Sequence, residues 1–261
     1  MGNKHGDFIW YELLTDAADA AQDFYTAVLG WRFSSAGQAD MDYRLFSMQG
    51  VNVGGVLPLT PGMAEGGARP GWLAYIGVDD VDRVAGALVS AQGSVHMQPR
   101  DIPGIGRIAL VADPQGAMFY IMTPTPPPGG GSSRSFAATE PMVGHCAWNE
   151  LETANPAAAL NFYHDLFGWE KDGEMDMGPL GKYEFLRHDF MIGALMPKMP
   201  GTPVSRWAHY FRVSDIDAAV ATIKANGGEI VQGPAEIPGG DYSMNAIDPQ
   251  GAAFALVGTR K

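Results

Sequence analysis

The sequence predicts an α+β fold of two domains, each built from two tandem βαβββ modules. Three observations indicate this class. The chain has 261 residues, which exceeds the usual single-domain size of about 100–150 residues. Its two halves repeat the same motifs in the same order. Within each half, short strand-like segments alternate with segments of helical hydrophobic period.

The repeat is visible as pairs of matching segments that keep their order along the chain. Residues 10–15 correspond to residues 148–153 at an offset of 138, and the offset settles at 135 further along. Surface loops tolerate such a change of length. The chain is therefore a tandem duplication. The other matches are Phe24-Tyr25 with Phe162-Tyr163, Gly30-Trp31 with Gly168-Trp169, Trp72 with Trp207, Ile102-Pro103-Gly104 with Ile237-Pro238-Gly239, and Asp113-Pro114-Gln115-Gly116 with Asp248-Pro249-Gln250-Gly251.

A segment rich in proline, glycine and serine separates the two copies. It begins with Thr-Pro-Thr-Pro-Pro-Pro at residue 123 and continues with Gly-Gly-Gly-Ser-Ser. Prolines favour an extended chain and the glycine–serine part is flexible, so this segment is expected to be a linker. The expected boundaries are 1–122 for the first domain, 123–141 for the linker and 142–261 for the second domain. Residues 125–135 are expected to make little contact with either domain.

The first module of the first copy begins with a predicted strand at Phe8–Leu14. Asp16 is expected to cap a helix whose apolar residues follow the helical period up to Val28. Gly30 is expected to end that helix in the left-handed conformation. Short strands are predicted to follow at Trp31–Ser34, Tyr43–Met48 and Val51–Leu57.

The second module repeats this order. A strand is predicted at Trp72–Val78, then a helix at Val81–Ala91 ended by Gly93, then strands near residues 107–112 and 117–122. The second copy carries equivalent signals. Pro156 stands at the first helical position after Asn155, and Asn226-Gly227 closes the last helix.

Composition excludes several classes of function. The 17 basic and 29 acidic residues give a net charge of −12, which repels nucleic-acid phosphates and anionic membranes. The longest apolar runs are far below the roughly 20 residues of a membrane span. A single cysteine cannot form an internal disulfide, and no apolar secretory segment is visible near Met1. A cytoplasmic protein is expected, with neither nucleic acid nor membrane as its partner.

The order of the motifs resembles the vicinal oxygen chelate superfamily of glyoxalase I, bleomycin-resistance proteins and extradiol dioxygenases. The resemblance rests on Phe-Tyr and Leu-Gly-Trp at the end of the first helix and on Asp-Pro-Gln-Gly before the last strand. Trp-x-Glu-Leu at the opening of each copy is similar to a two-domain bacterial group of glyoxalase-like or hydroxylase-type proteins. The resemblance implies a curved mixed sheet in each domain, with helices on its convex face and a ligand cavity on its concave face. It does not define a reaction, because the fold carries many chemistries.

Strand alternation then separates inward from outward side chains. In the first copy the residues implied to line the cavity are Trp10, Glu12, Tyr75, Met118 and Tyr120. In the second copy they are Trp148, Glu150, Ala208, Tyr210, Ala253 and Ala255. The three alanines replace Leu73, Met118 and Tyr120. The second cavity is therefore expected to hold the ligand, unless Phe185, Met244 or a loop methionine fills the space.

The resemblance also implies where a metal ion would bind in metal-dependent relatives. Those positions fall on Trp10, Leu73 and Tyr120 in the first copy, and on Trp148, Ala208 and Ala255 in the second. These side chains do not supply the nitrogen and oxygen ligands that a divalent ion needs. No cofactor is expected. The alternative is a divalent metal ion, held after a one-residue shift that admits His209 or by a cluster of His145, His188 and His209.

Glu12 and Glu150 are the candidate catalytic residues. A carboxylate on the inner face of an apolar sheet is costly unless it is paired or hydrogen-bonded. Both residues are expected to anchor a polar group of a ligand or to act as general bases. The alternative is a structural role, paired with an arginine such as Arg107 or Arg212 or with a tyrosine hydroxyl.

These observations predict a glyoxalase/bleomycin-resistance-type protein with degenerate metal sites. It would bind a small apolar or aromatic molecule in a concave cavity, or catalyse a metal-independent reaction on it. One alternative is a metal-dependent lyase or dioxygenase of the same superfamily. Another is a structural or interaction scaffold. The expected partner is a small-molecule ligand, and the sequence leaves open whether the chain forms a homodimer.

Overall fold

The computed structural model describes residues 2–37, 41–125 and 130–261. Residues 126–129 of the predicted linker, together with residues 1 and 38–40, lie outside the described part. Two mixed sheets of eight strands each dominate the fold, and each sheet is built from one copy of the repeat. The predicted α+β class with tandem modules is confirmed.

The first sheet has the strand order β2-β3-β4-β1-β5-β8-β7-β6. β1 pairs with β4 in parallel and β5 pairs with β8 in parallel, while the remaining registered pairs are antiparallel. The elements are β1 Phe8–Thr15, α1 Ala18–Leu29, β2 Arg32–Ser35, β3 Arg44–Met48, β4 Val51–Pro58, α2 Pro61–Glu65, β5 Gly71–Gly77, α3 Val81–Ser90, β6 Ser94–Ile102, β7 Gly106–Ala112 and β8 Met118–Pro124.

The second sheet repeats this topology in the order β10-β11-β12-β9-β13-β16-β15-β14. Its elements are β9 Cys146–Thr153, α4 Pro156–Phe167, β10 Glu170–Asp176, β11 Lys182–His188, β12 Phe190–Pro197, β13 Arg206–Val213, α5 Ile216–Ala225, β14 Glu229–Glu236, β15 Tyr242–Ile247 and β16 Ala253–Gly258, with a short 3-10 turn at Gly178–Leu180. The long strands β6 and β14 and the short helix α2 were not among the predicted elements.

The predicted helix ends follow local rules at most positions. Gly30 ends α1 in the left-handed conformation with φ 72°, and the Asn155 side chain caps α4 by accepting from the Ala158 amide. The expected cap at Asp16 is wrong, because α1 begins one residue later, after Ala17, and has no side-chain cap. No helix in the described part of the chain is long and apolar enough to cross a membrane.

Packing groups the chain into two compact units that differ from the two sequence copies. One unit comprises Met1–Ile9, Ala74–Ser133 and Trp148–Trp207. The other comprises Trp10–Leu73, Arg134–Ala147 and Ala208–Lys261. Each unit therefore contains the second half of one copy and the first half of the other. The boundaries predicted at 1–122, 123–141 and 142–261 stay a prediction.

The repeated motif residues form a buried Trp–Tyr–Asp network in each unit. In one unit the Trp72 indole donates to the Tyr25 hydroxyl at 3.1 Å, and that hydroxyl donates to Asp248 at 2.9 Å. In the other unit Trp207 donates to Tyr163 at 3.1 Å, and Tyr163 donates to Asp113 at 3.1 Å. Burial and the neighbouring carboxylate raise the pKa of both tyrosines well above 10. The most recognisable motifs of the sequence thus join elements of the two copies.

The C-terminal part of the predicted linker is attached to the fold, contrary to expectation. Ser133 donates its backbone amide to the Asn3 side chain at 2.7 Å and its hydroxyl to the Ile9 carbonyl at 2.6 Å. Ser135 is buried, and its carbonyl accepts from the Cys146 amide. The Ser133 hydroxyl thus satisfies a backbone carbonyl of β1 and attaches this part of the chain to the first strand.

Gly86 gives a direct test of local helix energetics. It lies on the exposed side of α3, and a Cβ placed there would meet no heavy atom within 4 Å. We expect Gly86→Ala to raise the free energy of unfolding by about 0.5–1 kcal/mol, because alanine loses less backbone entropy in a helix. Urea denaturation measures this change. The matched control is Gly193→Ala, whose Cβ would lie 1.8 Å from the Asn149 carbonyl oxygen and must destabilise the protein. An unchanged or lowered stability of the Gly86 variant would contradict the expectation.

Candidate functional site

A hydrogen-bonded triad, named the Glu150 triad, joins β9, the first strand of the second copy, to β11. The Trp148 indole donates to the Tyr183 hydroxyl at 2.8 Å, and this hydroxyl donates to the Glu150 carboxylate at 2.6 Å. β9 holds Trp148 and Glu150 two residues apart, so their side chains point to the same face. Trp148 and Tyr183 are partly exposed, whereas Glu150 retains only 8% exposure. The triad therefore places a buried carboxylate beside two partly exposed aromatic rings.

The first copy contains the equivalent residues in a tighter arrangement. The Trp10 indole donates to the Tyr43 hydroxyl at 3.0 Å, and Glu12 on the same strand face is 2% exposed. Gly55 leaves the room that the Tyr43 ring occupies, since a Cβ there would lie 2.1 Å from the Tyr43 hydroxyl. Ala194 pairs with Glu150 as Gly55 pairs with Glu12.

Sequence reasoning missed both tyrosines of these arrangements. Tyr43 and Tyr183 match at an offset of 140. Tyr43 lies just before β3, which neighbours β4, and Tyr183 lies in β11, which neighbours β12. The offset differs from 138 because the second copy has two more residues between Trp169 and Tyr183 than the first has between Trp31 and Tyr43. Comparing aromatic residues between copies while allowing a small shift in offset would have found the pair.

Two arginines considered as partners of the carboxylates have other partners. Arg107 pairs with Asp82 and Asp101, and Arg212 pairs with Asp241 at 2.7 Å. The other predicted structural partner, a tyrosine hydroxyl, is present at Glu150, which accepts a hydrogen bond from Tyr183. The hydrogen bond from Tyr183 holds the carboxylate in place. The catalytic or anchoring role of Glu12 and Glu150 stays a prediction.

The remaining predicted cavity residues differ in their neighbours and in their exposure to solvent. Tyr75 and Tyr120 pair across β5 and β8, and their rings stack with centroids 4.3 Å apart. In the second copy Tyr210 pairs with Ala255 instead. Met118 and Ala208 are partly exposed, and Ala253 is exposed at the start of β16.

Met244 does not share a strand face with Ala255, because Asn245 is the residue opposite Ala255 on β15. This removes one of the side chains considered as a filler of the second cavity. The choice of the second cavity stays a prediction.

The residues at the metal positions of the superfamily do not fit a divalent ion. In the first copy they are Trp10, Leu73 and Tyr120, and in the second Trp148, Ala208 and Ala255, none of which is a typical ligand. Among the residues that the structure describes, no group of three or more His, Cys, Asp or Glu side chains is placed to hold a metal ion.

The three histidines considered as a cluster have separate surroundings. The His145 Nδ1 donates to the Arg134 carbonyl at 2.6 Å, and burial lowers its pKa. His188 lies 3.6 Å from Asp7. His209 is buried beside the Tyr11 ring, and burial lowers its pKa from 6.5 to about 3.

The buried His209 predicts how stability depends on pH. Below pH 6.5 the unfolded chain binds a proton at this residue that the folded chain excludes, so the free energy of unfolding falls as the pH falls. This contribution approaches about 1.4 kcal/mol per pH unit. Urea titrations between pH 7 and 5.5 should show that His209→Phe removes this part of the slope. The raised pKa values of Asp113 and Asp248 act in both proteins and cancel in the comparison. Equal slopes would contradict the assignment.

Comparison with known proteins identifies the family. Residues 8–121 and 143–256 each match the model of the Glyoxalase/Bleomycin resistance protein/Dioxygenase superfamily, and this chain belongs to that superfamily. The two matched segments correspond to the two copies of the repeat. The resemblance seen in the sequence is confirmed.

Among the relatives that match over nearly the whole chain are a mycobacterial and a streptomycete protein. "Putative glyoxylase CFP32" of Mycobacterium tuberculosis is 35% identical over 260 residues, covering 97% of this chain and 95% of its own length. "Anthracycline biosynthesis protein DnrV" of Streptomyces peucetius is 30% identical over 266 residues, covering 97% and 93%.

Solved structures that share the fold include a glyoxalase and a dioxygenase. The Mn(II)-bound glyoxalase from Novosphingobium aromaticivorans has a TM-score of 0.65 at 18% identity, covering 99% of this chain and 83% of that one. The 2,2',3-trihydroxybiphenyl 1,2-dioxygenase of Sphingomonas wittichii has a TM-score of 0.67 at 16% identity, covering 98% and 91%. At these identities the likeness concerns the fold.

Proposed function

We propose that this protein binds a small hydroxylated aromatic molecule at the Glu150 triad and does so without a metal ion. The observation that carries the proposal is the Tyr183 hydroxyl held between the Trp148 indole and the Glu150 carboxylate. This arrangement offers an aromatic surface beside a fixed hydrogen-bond acceptor. Ligand sites are typically apolar with a few oriented polar groups.

Each residue of the triad has a distinct role in this proposal. The partly exposed Trp148 ring packs against the flat face of the ligand. Glu150 accepts a hydrogen bond from a ligand hydroxyl and can take its proton as a general base. Tyr183 fixes the orientation of the carboxylate, so that little reordering accompanies binding. A metal-independent proton transfer is the chemistry that these groups can perform.

The metal-independent part of the proposal follows from the residue types at the superfamily's metal positions. Tryptophan, leucine, alanine and tyrosine stand there in place of histidine and carboxylate side chains. A resident metal would need different ligands from those of its metal-dependent relatives.

The names of the relatives support an aromatic ligand. One relative is named an anthracycline biosynthesis protein, and anthracyclines are polycyclic aromatic compounds. The other name, glyoxylase, and the manganese-bound glyoxalase structure favour the metal-dependent alternative. An absence of nucleic-acid and membrane partners belongs to the proposal on the basis of the net charge of −12. A cytoplasmic location belongs to it because the single cysteine fits a reducing compartment.

The test is a calorimetric titration of chelator-treated protein with 2-hydroxyanthraquinone, a planar aromatic probe with one hydroxyl group. The proposal predicts saturable binding whose strength is unchanged when Mn(II), Fe(II), Ni(II) or Zn(II) is supplied. Elemental analysis of the protein before chelation accompanies the titration. Stoichiometric metal, together with binding that requires it, would establish the metal-dependent alternative. Absence of binding in both conditions would favour the scaffold alternative.

A further inference from the structure

The second copy contains an ion pair with a buried carboxylate, which the Glu150 triad does not use. Arg206 donates from Nη2 to Glu152 Oε1 at 3.0 Å, and the Thr202 hydroxyl donates to Glu152 Oε2 at 3.1 Å. The Glu152 side chain is 7% exposed, whereas 44% of the Arg206 side chain reaches solvent. The carboxylate is thus buried and the guanidinium is presented at the surface.

Strand geometry places this pair on the same side as the Glu150 triad. Glu152 lies two residues after Glu150 on β9, so both side chains point to one face. Their Cα atoms are separated by about 7 Å at the usual rise of a strand. Arg206 begins β13, where its neighbour Trp207 packs with Tyr163 on the opposite, helix-bearing face.

The segment before β13 is fixed, which gives Arg206 a defined position. The buried Ser205 hydroxyl accepts from the Ala154 amide at 3.1 Å, and the Lys198 amide donates to the Thr153 carbonyl at 3.0 Å. Both ends of the segment are therefore attached to the end of β9.

Comparison with the first copy tests whether the fold itself requires this ion pair. The positions that match Glu152 and Arg206 hold Leu14 and Gly71. The first copy forms the same eight-stranded sheet with these residues, so the topology does not require the charges. A buried carboxylate carries a desolvation cost that an apolar residue avoids. A role in ligand recognition accounts for the presence of this ion pair in the second copy and not in the first.

We infer that Arg206 is a specificity-determining residue that donates a hydrogen bond to a neutral carbonyl oxygen of the ligand. The inference rests on the proposed function, because it concerns the same ligand. Glu152 accepts from one N–H group of the guanidinium and orients it, while a guanidinium has five such donors. Glu152 already balances the charge of Arg206, so a neutral acceptor is preferred over a further anion. The ligand class is therefore an aromatic compound with a hydroxyl group at Glu150 and a keto group at Arg206.

The experiment compares two probes that differ in their keto groups. 2-Hydroxyanthraquinone carries the hydroxyl and the keto groups, and 2-hydroxyanthracene carries the hydroxyl alone. The unmodified protein is expected to bind the quinone about tenfold more tightly, as one hydrogen bond to a charged donor provides. Arg206→Met retains the apolar stem of the side chain and is expected to bind the two probes with nearly equal affinity.

Two further variants make the result decisive. Glu152→Leu combined with Arg206→Met replaces both charges, which avoids an unpaired buried carboxylate and preserves folding. It too is expected to lose the preference for the quinone. Arg187→Met is the matched control, because Arg187 is also 44% exposed and paired with a carboxylate, that of Asp172 on the neighbouring strand. It is expected to retain the preference.

The outcomes separate this inference from the proposed function. Loss of the quinone preference in both Arg206 variants, with the Arg187 variant unchanged, supports the inference. If both Arg206 variants keep the preference while Glu150→Gln still weakens both probes, the inference is overturned and the proposed function stands. If neither probe binds the unmodified protein, both are overturned. Circular dichroism verifies that each variant is folded.

Discussion

Replacing Asp248 by alanine is expected to lower the free energy of unfolding by about 3–4 kcal/mol, one of the two largest effects anticipated for this protein. Asp248 is 3% exposed and accepts three hydrogen bonds. Its Oδ1 accepts from the amides of Gln250 and Ala252 at 2.9 and 2.8 Å, and its Oδ2 accepts from the Tyr25 hydroxyl. Alanine removes these acceptors and leaves buried donors unsatisfied.

The loss is large because Asp248 joins structure near and far in the sequence. Two of its hydrogen bonds shape the turn before β16, and the third connects that turn to α1 of the first copy within the same compact unit. Burial raises the pKa of Asp248, while its hydrogen bonds oppose that rise. The buried carboxylate is therefore stabilised by its hydrogen bonds, and the donors of those bonds in turn need the carboxylate as their acceptor.

Urea denaturation of Asp248→Ala and of three further variants tests this expectation. Tyr25→Phe removes one hydrogen bond and is expected to cost about 1–2 kcal/mol. Asp113→Ala, in the equivalent network of the other unit, is expected to match Asp248→Ala. Asp23→Ala, at an exposed position on α1, is the control and should stay within about 0.5 kcal/mol of the unmodified protein. A loss at Asp248 no greater than at Asp23 would show that the network contributes nothing to stability.

The second large effect concerns ligand binding. Glu150→Gln is expected to weaken the binding of 2-hydroxyanthraquinone by about 30- to 100-fold, because a hydrogen bond to an ionised acceptor contributes about 2–3 kcal/mol. Glutamine has nearly the same shape, so the change isolates the charge and the accepting capacity of the carboxylate. Isothermal calorimetry measures the affinity.

The duplicated chain supplies the matched control for this variant. Glu12→Gln makes the same change at the equivalent position of the first copy, where Glu12 is almost fully buried and the Tyr43 ring packs over Gly55. It is expected to change the affinity less than threefold. Tyr183→Phe, which leaves Glu150 without its oriented donor, is expected to have an intermediate effect. A larger loss at Glu12 than at Glu150 would place the ligand in the first copy.

Local sequence signals account for much of the fold. The left-handed Gly30 and the Asn155–Pro156 helix start act over a few residues, and the structure confirms both. β6 and β14 were missed because their residues alternate without a strong apolar face and lie largely exposed. The networks of Tyr25 with Asp248 and of Tyr163 with Asp113 depend on contacts between the copies, which no local pattern encodes.

The candidate site was likewise predicted only in part. Glu150 was predicted because it repeats beside a tryptophan, but its partner Tyr183 lies 33 residues away on another strand. Glu152 and Arg206 were missed for the opposite reason. Matching the copies emphasises what they share, whereas this pair occurs at positions where they differ. Differences between duplicated halves therefore carry information about function that similarities do not.

In the proposed function, Glu150 holds the hydroxyl group of an aromatic ligand in the absence of a metal ion. The most direct test of this proposal is a crystal structure of chelator-treated protein with 2-hydroxyanthraquinone, collected with anomalous data at metal absorption edges. We expect the ligand ring beside Trp148, its hydroxyl oxygen within about 2.5–3.0 Å of the Glu150 carboxylate, and no anomalous peak near it. A ligand coordinated to a metal ion, or bound away from Glu150, would contradict the proposal.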